Sequence, residues 1–188
     1  MKKIPDNAKK VFEGLIFDVY HWEQEMFDGS FATFEALKKR DSVTVVATYN
    51  NKIVINEEEQ PGKPVFTALP GGMCETGEDS LTNAKRELLE ETGLQSDDWS
   101  LWFISDPWKA AKVEWNNYFY IAKNCKKVSE PKLDPGEKIQ STNVTFDEFL
   151  EIRNNPRGRN RDLFPVLENA ANSEEEKQKL KELLGITT

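Results

Sequence analysis

The stretch PGGMCETGEDSLTNAKRELLEETGL, residues 70–94, constrains the fold more than any other part of the chain. Its opening cannot be a long regular element, because Pro70 lacks a backbone donor and the glycines beside it permit a tight turn and a close backbone approach. The residues that follow restore helical spacing. Asp79 or Ser80 suits the start, Gly93 suits a left-handed end, and Leu81, Ala84 and Leu88 form an apolar stripe. Glu87, Glu90 and Glu91 recur at separations of three and four residues, which puts them on neighbouring turns, away from that stripe.

Like charges on an exposed helical face repel by roughly 0.2–0.5 kcal/mol per pair. Acids near a helix C-terminus also oppose its dipole, by roughly 0.3–1 kcal/mol each. A folded domain tolerates both, so a solvated acidic face is the simpler account of the cluster taken alone. A divalent cation is the other account. Converging carboxylates coordinate Mg²⁺ or Mn²⁺, and Mg²⁺ keeps waters and reaches substrate phosphates as well.

The length of 188 residues suits one principal domain with a small appendage, and 38% hydrophobic with 31% charged residues suits a globular chain. A net charge of −8 argues against nucleic acid or anionic membrane held by bulk charge. The lysines of MKKIPDNAKK are not followed by an apolar stretch, and no hydrophobic segment has the length of a bilayer span, so a cytoplasmic protein with no membrane partner is expected. Two cysteines, Cys74 and Cys125, and one histidine, His21, argue against a disulfide framework and against zinc or haem. Oxygen should dominate any metal site.

Upstream, the chain reads chiefly as strands. Residues 13–27 are aliphatic and aromatic up to the turn signal Asp28-Gly29-Ser30, and residues 31–39 fit either a helix or a second hairpin strand. Residues 42–49, SVTVVATY, are rich in β-branched side chains, and Asn50-Asn51 separates them from KIVINEEE in the manner of a hairpin. Downstream, residues 118–122 read as a buried strand, TFDEFLEI as a helix, and the end of the chain as a packed helix followed by a short charged one. Ser173 and Glu176 have the spacing of a capping box, and Leu180, Leu183 and Leu184 form a narrow apolar strip.

The spacing Gly72-x5-Glu78-x7-Arg86-Glu87-Leu88-x-Glu90-Glu91-x-Gly93-Leu94 resembles the signature of Nudix hydrolases at every defining position. The resemblance implies an α/β fold, an α/β/α sandwich with a mixed β-sheet and here an N-terminal β extension, together with metal-dependent hydrolysis of nucleoside diphosphate derivatives. It assigns the Gly71 carbonyl and the carboxylates of Glu87, Glu90 and Glu91 to Mg²⁺ or Mn²⁺, and Gly72, Glu78, Arg86 and Gly93 to bracing the loop. An Arg–carboxylate fork is directional, so loss of Arg86 damages such a site without removing a ligand. The expected chemistry is attack of water on a pyrophosphate phosphorus.

Family members draw a further carboxylate from a downstream loop. Glu137 in PKLDPGEKIQ is the preferred position, as ligand or base, and Glu114 the alternative. The N-terminal segment and the layout around VSEPKLDPGE resemble ADP-ribose and ADP-sugar pyrophosphatases, which favours an ADP-sugar substrate and a homodimer formed through residues 1–40. The catalytic domain is then expected over 41–171, with a charged tail over 172–188. INEEEQPGKP stands where many relatives carry a basic, aromatic segment.

Trp22 and Tyr20 are candidates for stacking on a nucleotide base, with strand packing or dimer contact as the alternative. Trp108 and Trp115 are further candidates in the loop after the signature. Arg157, in the basic loop of residues 153–162, is a candidate phosphate contact, with a solvated loop as the alternative. His21 reads as a surface residue, and Cys74 as loop packing rather than a nucleophile. A nucleoside triphosphate or dinucleoside polyphosphate, an RNA end, and a slow nucleotide-binding sensor remain alternative functions.

Overall fold

A computed structural model describes residues 3–107 and 112–187. The first strands, β1 (Lys9–Phe12), β2 (Phe17–Glu25) and β3 (Phe31–Lys39), form an antiparallel meander. At the turn into β3, Asp28 Oδ1 accepts from the backbone N–H and hydroxyl of Ser30 at 3.0 and 2.6 Å, while Gly29 sits at φ 81°. This closure by an Asx contact and a left-handed glycine sets the register, and residues 31–39 extend as a strand along the whole of β2.

β4 (Ser42–Tyr49) and β5 (Lys52–Glu59) follow, joined by Asn50 and Asn51 at φ 52° and 59°. Two consecutive left-handed residues are what a two-residue hairpin requires, and asparagine tolerates them. Then come β6 (Phe66–Ala68), α1 (Ser80–Thr92), β7 (Leu94–Gln95), β8 (Asp98–Ser105), β9 (Val113–Glu114), β10 (Asn117–Lys123), β11 (Lys126–Lys127), β12 (Lys138–Val144), α2 (Phe146–Glu151), α3 (Phe164–Asn172) and α4 (Glu174–Leu184). The central sheet runs β12-β5-β4-β10-β8, with β6 also on β5; β4 and β10 are parallel, which makes the sheet mixed. β9 extends the first sheet to β1-β2-β3-β9, and β7 pairs with β11.

The continuous apolar run of β4 is buried on both faces, as the middle of a covered sheet demands. Val43, Val45 and Ala47 pack with Val54 against Ala84 and Leu88 of α1. Val46 meets the other layer, where Ile53, Ile55, Phe119 and Ile121 pack against Phe149, Leu167, Leu180 and Leu184. Helices cover both faces, giving the α/β/α sandwich. Each fully buried leucine or phenylalanine here contributes roughly 1.5–3 kcal/mol relative to exposure.

The caps follow local chemistry. Asp79 accepts from the N–H groups of Leu81 and Thr82, and Gly93 ends α1 at φ 69°. Ser173 accepts from Glu176 N at 3.3 Å, but the reciprocal arm of a capping box is found instead at Thr145 and Glu148, which bond both ways. Of the C-terminal leucines, Leu180 and Leu184 enter the core, whereas Leu183 is 37% exposed on the outer side of α4. Leu88→Ala should cost about 2–5 kcal/mol through a cavity between α1 and the sheet. Leu183→Ala should change stability by less than about 1 kcal/mol. Paired chemical denaturation of the two variants checks this contrast, and equal losses would contradict the packing described.

Candidate active site

The site begins where the sheet opens. β4 and β5 pair beside their turn, at Thr48↔Ile53 and Tyr49↔Lys52, and then diverge. Farther along, β5 takes β6 as neighbour through Asn56↔Ala68 and Glu58↔Phe66. The exposed donors of β4 are met by the loop entering α1: Val45 N–H donates to Pro70 O at 2.7 Å and Val43 N–H to Gly72 O at 2.9 Å. Between those bonds Gly71 faces away, at φ 150°, and a Cβ there would collide with the Val43 carbonyl. Its N–H donates to Glu91 Oε2 at 3.1 Å, and its carbonyl accepts no backbone hydrogen bond among the described residues. A Cβ on Gly72 would meet the Glu87 carboxylate, so a side chain there would displace that acid from its place beside the loop.

The helix holds its acids in three different environments. Arg86 forks to Glu78, with Nε and Nη2 at 3.3 and 3.2 Å from its two oxygens, and it also meets Glu87 Oε1 at 3.0 Å, Glu90 Oε2 at 2.8 Å and Asn83 Oδ1. The wheel expectation that all three helix glutamates lie away from the apolar stripe is corrected at Glu91. That residue is 5% exposed and continues the stripe of Ala84 and Leu88, seven residues from Ala84 and three from Leu88. Glu91 is buried because β5 supplies a partner: the fully buried Asn56 donates Nδ2–H to Glu91 Oε2 at 2.9 Å, while Ser141 Oγ–H donates to Asn56 Oδ1 at 2.8 Å.

The downstream loop is laid onto the end of α1. Lys132 N–H donates to Glu90 O at 2.7 Å and Val128 N–H to Gly93 O at 2.9 Å, satisfying carbonyls that a helix end leaves open. This brings Glu137 into the field of the helix acids. Its carboxyl is shifted upward by burial and by neighbouring Asp134 and Glu90. Burial raises Glu87 to about 7, with Arg86 opposing, and raises Glu91 well above the ordinary carboxylate range, with Glu58 and Glu87 adding to the shift. Glu58 on β5 is likewise raised by burial to about 7, with Glu137 the next cause.

Among the described residues no three acidic, cysteine or histidine side chains are already arranged to enclose an ion. The chemistry nevertheless suits a hard divalent cation. All the available donors are oxygens, the carboxyls gathered at the β5 side are pushed toward protonation by burial and by one another, and the Gly71 carbonyl lies free of the backbone ladder. A cation of the Mg²⁺ or Mn²⁺ class, which takes oxygen ligands and retains waters, matches that donor set without requiring a closed protein cage.

Glu114 lies elsewhere. Its Oε2 accepts from the backbone N–H groups of Lys3 and Ile4 at 2.9 and 3.2 Å, and Lys38 Nζ approaches Oε1 at 3.3 Å, so the group is lowered and bound to the first sheet. Trp22 stands 5.9 Å from Phe34, ring centre to ring centre, and donates to Gln24 at 3.1 Å; Tyr20 lies opposite Ala36 on β3. No described contact joins either to the acids. Trp115 donates to Ser42 Oγ at 3.1 Å beneath Lys39, whereas Trp108 lies outside the described residues. In the basic loop, Arg153 pairs with Glu168 and Glu151, Arg159 covers the Phe66 ring at 4.1 Å, and Arg157 is exposed. His21 meets Glu35 at 2.9 Å on the surface of the first sheet. Cys74 accepts from Asn83 Nδ2 at 3.3 Å, and burial pushes its thiol up to about 11, so it is no nucleophile at neutral pH.

Asn56, Glu58 and Ser141 are absent from the sequence expectations. A signal for two of them was present in the alternation of KIVINEEE. Val54 faces α1, and in a strand residues two and four places along share its face, which are Asn56 and Glu58.

Residues 38–166 match the NUDIX domain family. The chain is 30% identical over 149 residues to a methanol dehydrogenase activator of Bacillus methanolicus, covering 77% of this chain and 79% of the relative. It is 26% identical over the same length and shares to an ADP-ribose pyrophosphatase of Bacillus subtilis. A crystal structure of an ADP compounds hydrolase superposes over 100% of both chains with a TM-score of 0.72 at 16% identity, a likeness of fold. With the family matched from β3 to α3, around a loop and helix whose acids gather against β5, the chain belongs to the NUDIX domain family.

Proposed function

We propose that this chain hydrolyses the pyrophosphate of a nucleoside diphosphate derivative with the help of Mg²⁺ or Mn²⁺. The favoured substrate is ADP-ribose or another ADP-sugar, giving AMP and a sugar phosphate. The observation that carries the reading is Glu91 held by the Gly71 N–H within the electrostatic field of Glu87 and Glu137, with Arg86 braced to Glu78 and Glu90. The name of the Bacillus subtilis relative supports the substrate class.

In this reading Gly71, Glu87, Glu90, Glu91 and Glu137 form the cation side of the site, and Gly72, Glu78, Arg86 and Gly93 keep the loop and helix together. A bound divalent cation supplies charge neutralisation at the phosphate oxygens. The chain does the rest. Asn56 and the Gly71 N–H fix one oxygen of Glu91, leaving the other free to face the site. Glu137 accepts a proton from the attacking water, whose oxygen bonds to phosphorus as the bridging oxygen departs with the other phosphate. Attack at either phosphorus yields the same two products, and mass analysis in ¹⁸O-water distinguishes them.

Residues 1–40 are the dimer-forming extension in the same reading, residues 41–171 the catalytic domain and residues 172–188 an appended tail. Exposed Leu15, Phe27 and Phe31 around the first sheet support apolar contact with a second copy. Trp22, Tyr20 and Arg157 are the proposed substrate contacts. The name of the Bacillus methanolicus relative favours a second reading, action upon a dehydrogenase partner. Dehydrogenase stimulation that survives in a Glu91→Gln variant lacking nucleotide hydrolysis would favour that second reading.

A metabolite panel read by product mass tests the substrate class, with nucleoside triphosphates, dinucleoside polyphosphates and capped RNA included as competitors. Glu137→Gln should lower kcat by about 10²–10⁴-fold if Glu137 is the base, and Glu91→Gln should weaken both cation binding and turnover. Turnover unchanged in both variants would sink the assignment.

The pH dependence has a definite sign. Glu58 and Glu87 rise from an ordinary 4.5 to about 7 in the cation-free fold. Between those values the native state holds protons that the unfolded chain has released, so their contribution to stability falls as pH rises through this window. Ionised carboxylates bind the cation, so Mg²⁺ should release protons near pH 7 and bind more weakly as pH falls below it. Calorimetry in buffers of different ionisation enthalpy checks this, and a heat independent of buffer would contradict it.

A further inference from the structure

The Glu58 residue is 7% exposed, and its carboxylate makes no hydrogen bond or ion pair among the described residues, its oxygens keeping only their slight contact with solvent. A carboxylate in that position is costly unless something opposite in charge meets it. Its place on β5 shows where that partner belongs. Val54, Asn56 and Glu58 alternate onto one face of the strand; Val54 packs against α1, and Asn56 holds Glu91 Oε2 at 2.9 Å. Glu58 is the next residue on this face. It lies in the electrostatic field of Glu137, Glu87 and Glu91, whereas the basic groups acting on it, Arg159 and Lys63, stay beyond ion-pair contact. Arg159 is occupied over the ring of Phe66, the cross-strand neighbour of Glu58.

We propose that Glu58 is a further cation-binding carboxylate, so that a divalent cation is held between α1 and the face of β5, with Glu91 on one side and Glu58 on the other. The inference rests on the hydrolase reading above and adds a residue outside the loop and helix. Asn56 makes the arrangement possible: by holding one Glu91 oxygen from the same strand, it sets the α1 acid and the β5 acid at a fixed separation. The competing account is a neutral buried carboxyl with no ligand.

The test uses the purified full chain, free of substrate, and the isosteric Glu58→Gln variant, with Mn²⁺ alone as probe. Binding is read by electron paramagnetic resonance and calorimetry, and melting temperature is measured with and without Mn²⁺. The expected result is a loss of affinity of about tenfold or more, or the loss of one bound ion. The cation-free melting temperature should rise as an unpaired buried charge disappears, and the increase produced by Mn²⁺ should shrink. Unchanged stoichiometry and affinity in Glu58→Gln would overturn the proposal, as would a fall in cation-free stability, which would mark a structural ion pair. If the wild-type chain takes up no Mn²⁺, the hydrolase reading fails with it; if wild type binds and hydrolyses while Glu58→Gln binds equally well, this inference alone fails.

Discussion

The divergence of β4 from β5 is the constraint on which the rest of the site depends. Once the strands separate, buried N–H groups on β4 require acceptors, and an unmet donor in such a place costs about 1–3 kcal/mol. The Pro70 and Gly72 carbonyls meet Val45 and Val43, and this fixes the loop residue by residue. Because alternate residues face opposite ways, satisfying β4 turns the Gly71 N–H toward Glu91. The same bonds that seal the sheet therefore orient the acid at the end of α1. A side chain at residue 71 would break the arrangement against the Val43 carbonyl, and one at residue 72 would push the Glu87 carboxylate aside.

Charge is distributed unevenly across this scaffold. Arg86 gathers Glu78, Glu87 and Glu90 along α1 in ion pairs that range from half-buried to exposed. On the inner flank, Glu91 has amide donors rather than a cation, and Glu58 has neither. Arg86 thus balances part of the negative charge on α1, while Glu91 and the β5 acid Glu58 have no cation beside them. Lys127 completes the outer frame by donating to the Thr92 carbonyl at 3.1 Å, where a helix C-terminus favours a cation.

The layered fold was legible because its signals are local. The β-branched run of β4, the Asn50-Asn51 turn and the capped, glycine-ended α1 each specify their own geometry. Residues 31–39 were ambiguous because their alternation is imperfect, and pairing along β2 decides the matter. In the site, the spacing of Glu78, Arg86 and the helix glutamates was readable, but the burial of Glu91 was not, since a polar partner on a distant strand permits it. Ser141 lies 85 residues from Asn56, and no window of sequence joins them. Glu137 was the preferred loop acid and Glu114 the alternative. They part because the loop after β11 bonds to the end of α1, whereas the N-terminal segment closes over Glu114.

The placement of Cys74 has a consequence for the chemical resilience of the loop. Buried beside Asn83 with its thiol raised to about 11, chiefly by burial, it stays largely protonated at neutral pH. Cys125, raised to about 11 by burial, is equally quiet. Peroxides and alkylating agents act on thiolates, so neither cysteine offers them a foothold in the folded chain. Glu78 and Glu87, which do not oxidise, share the loop with a sulfur that is held out of reach.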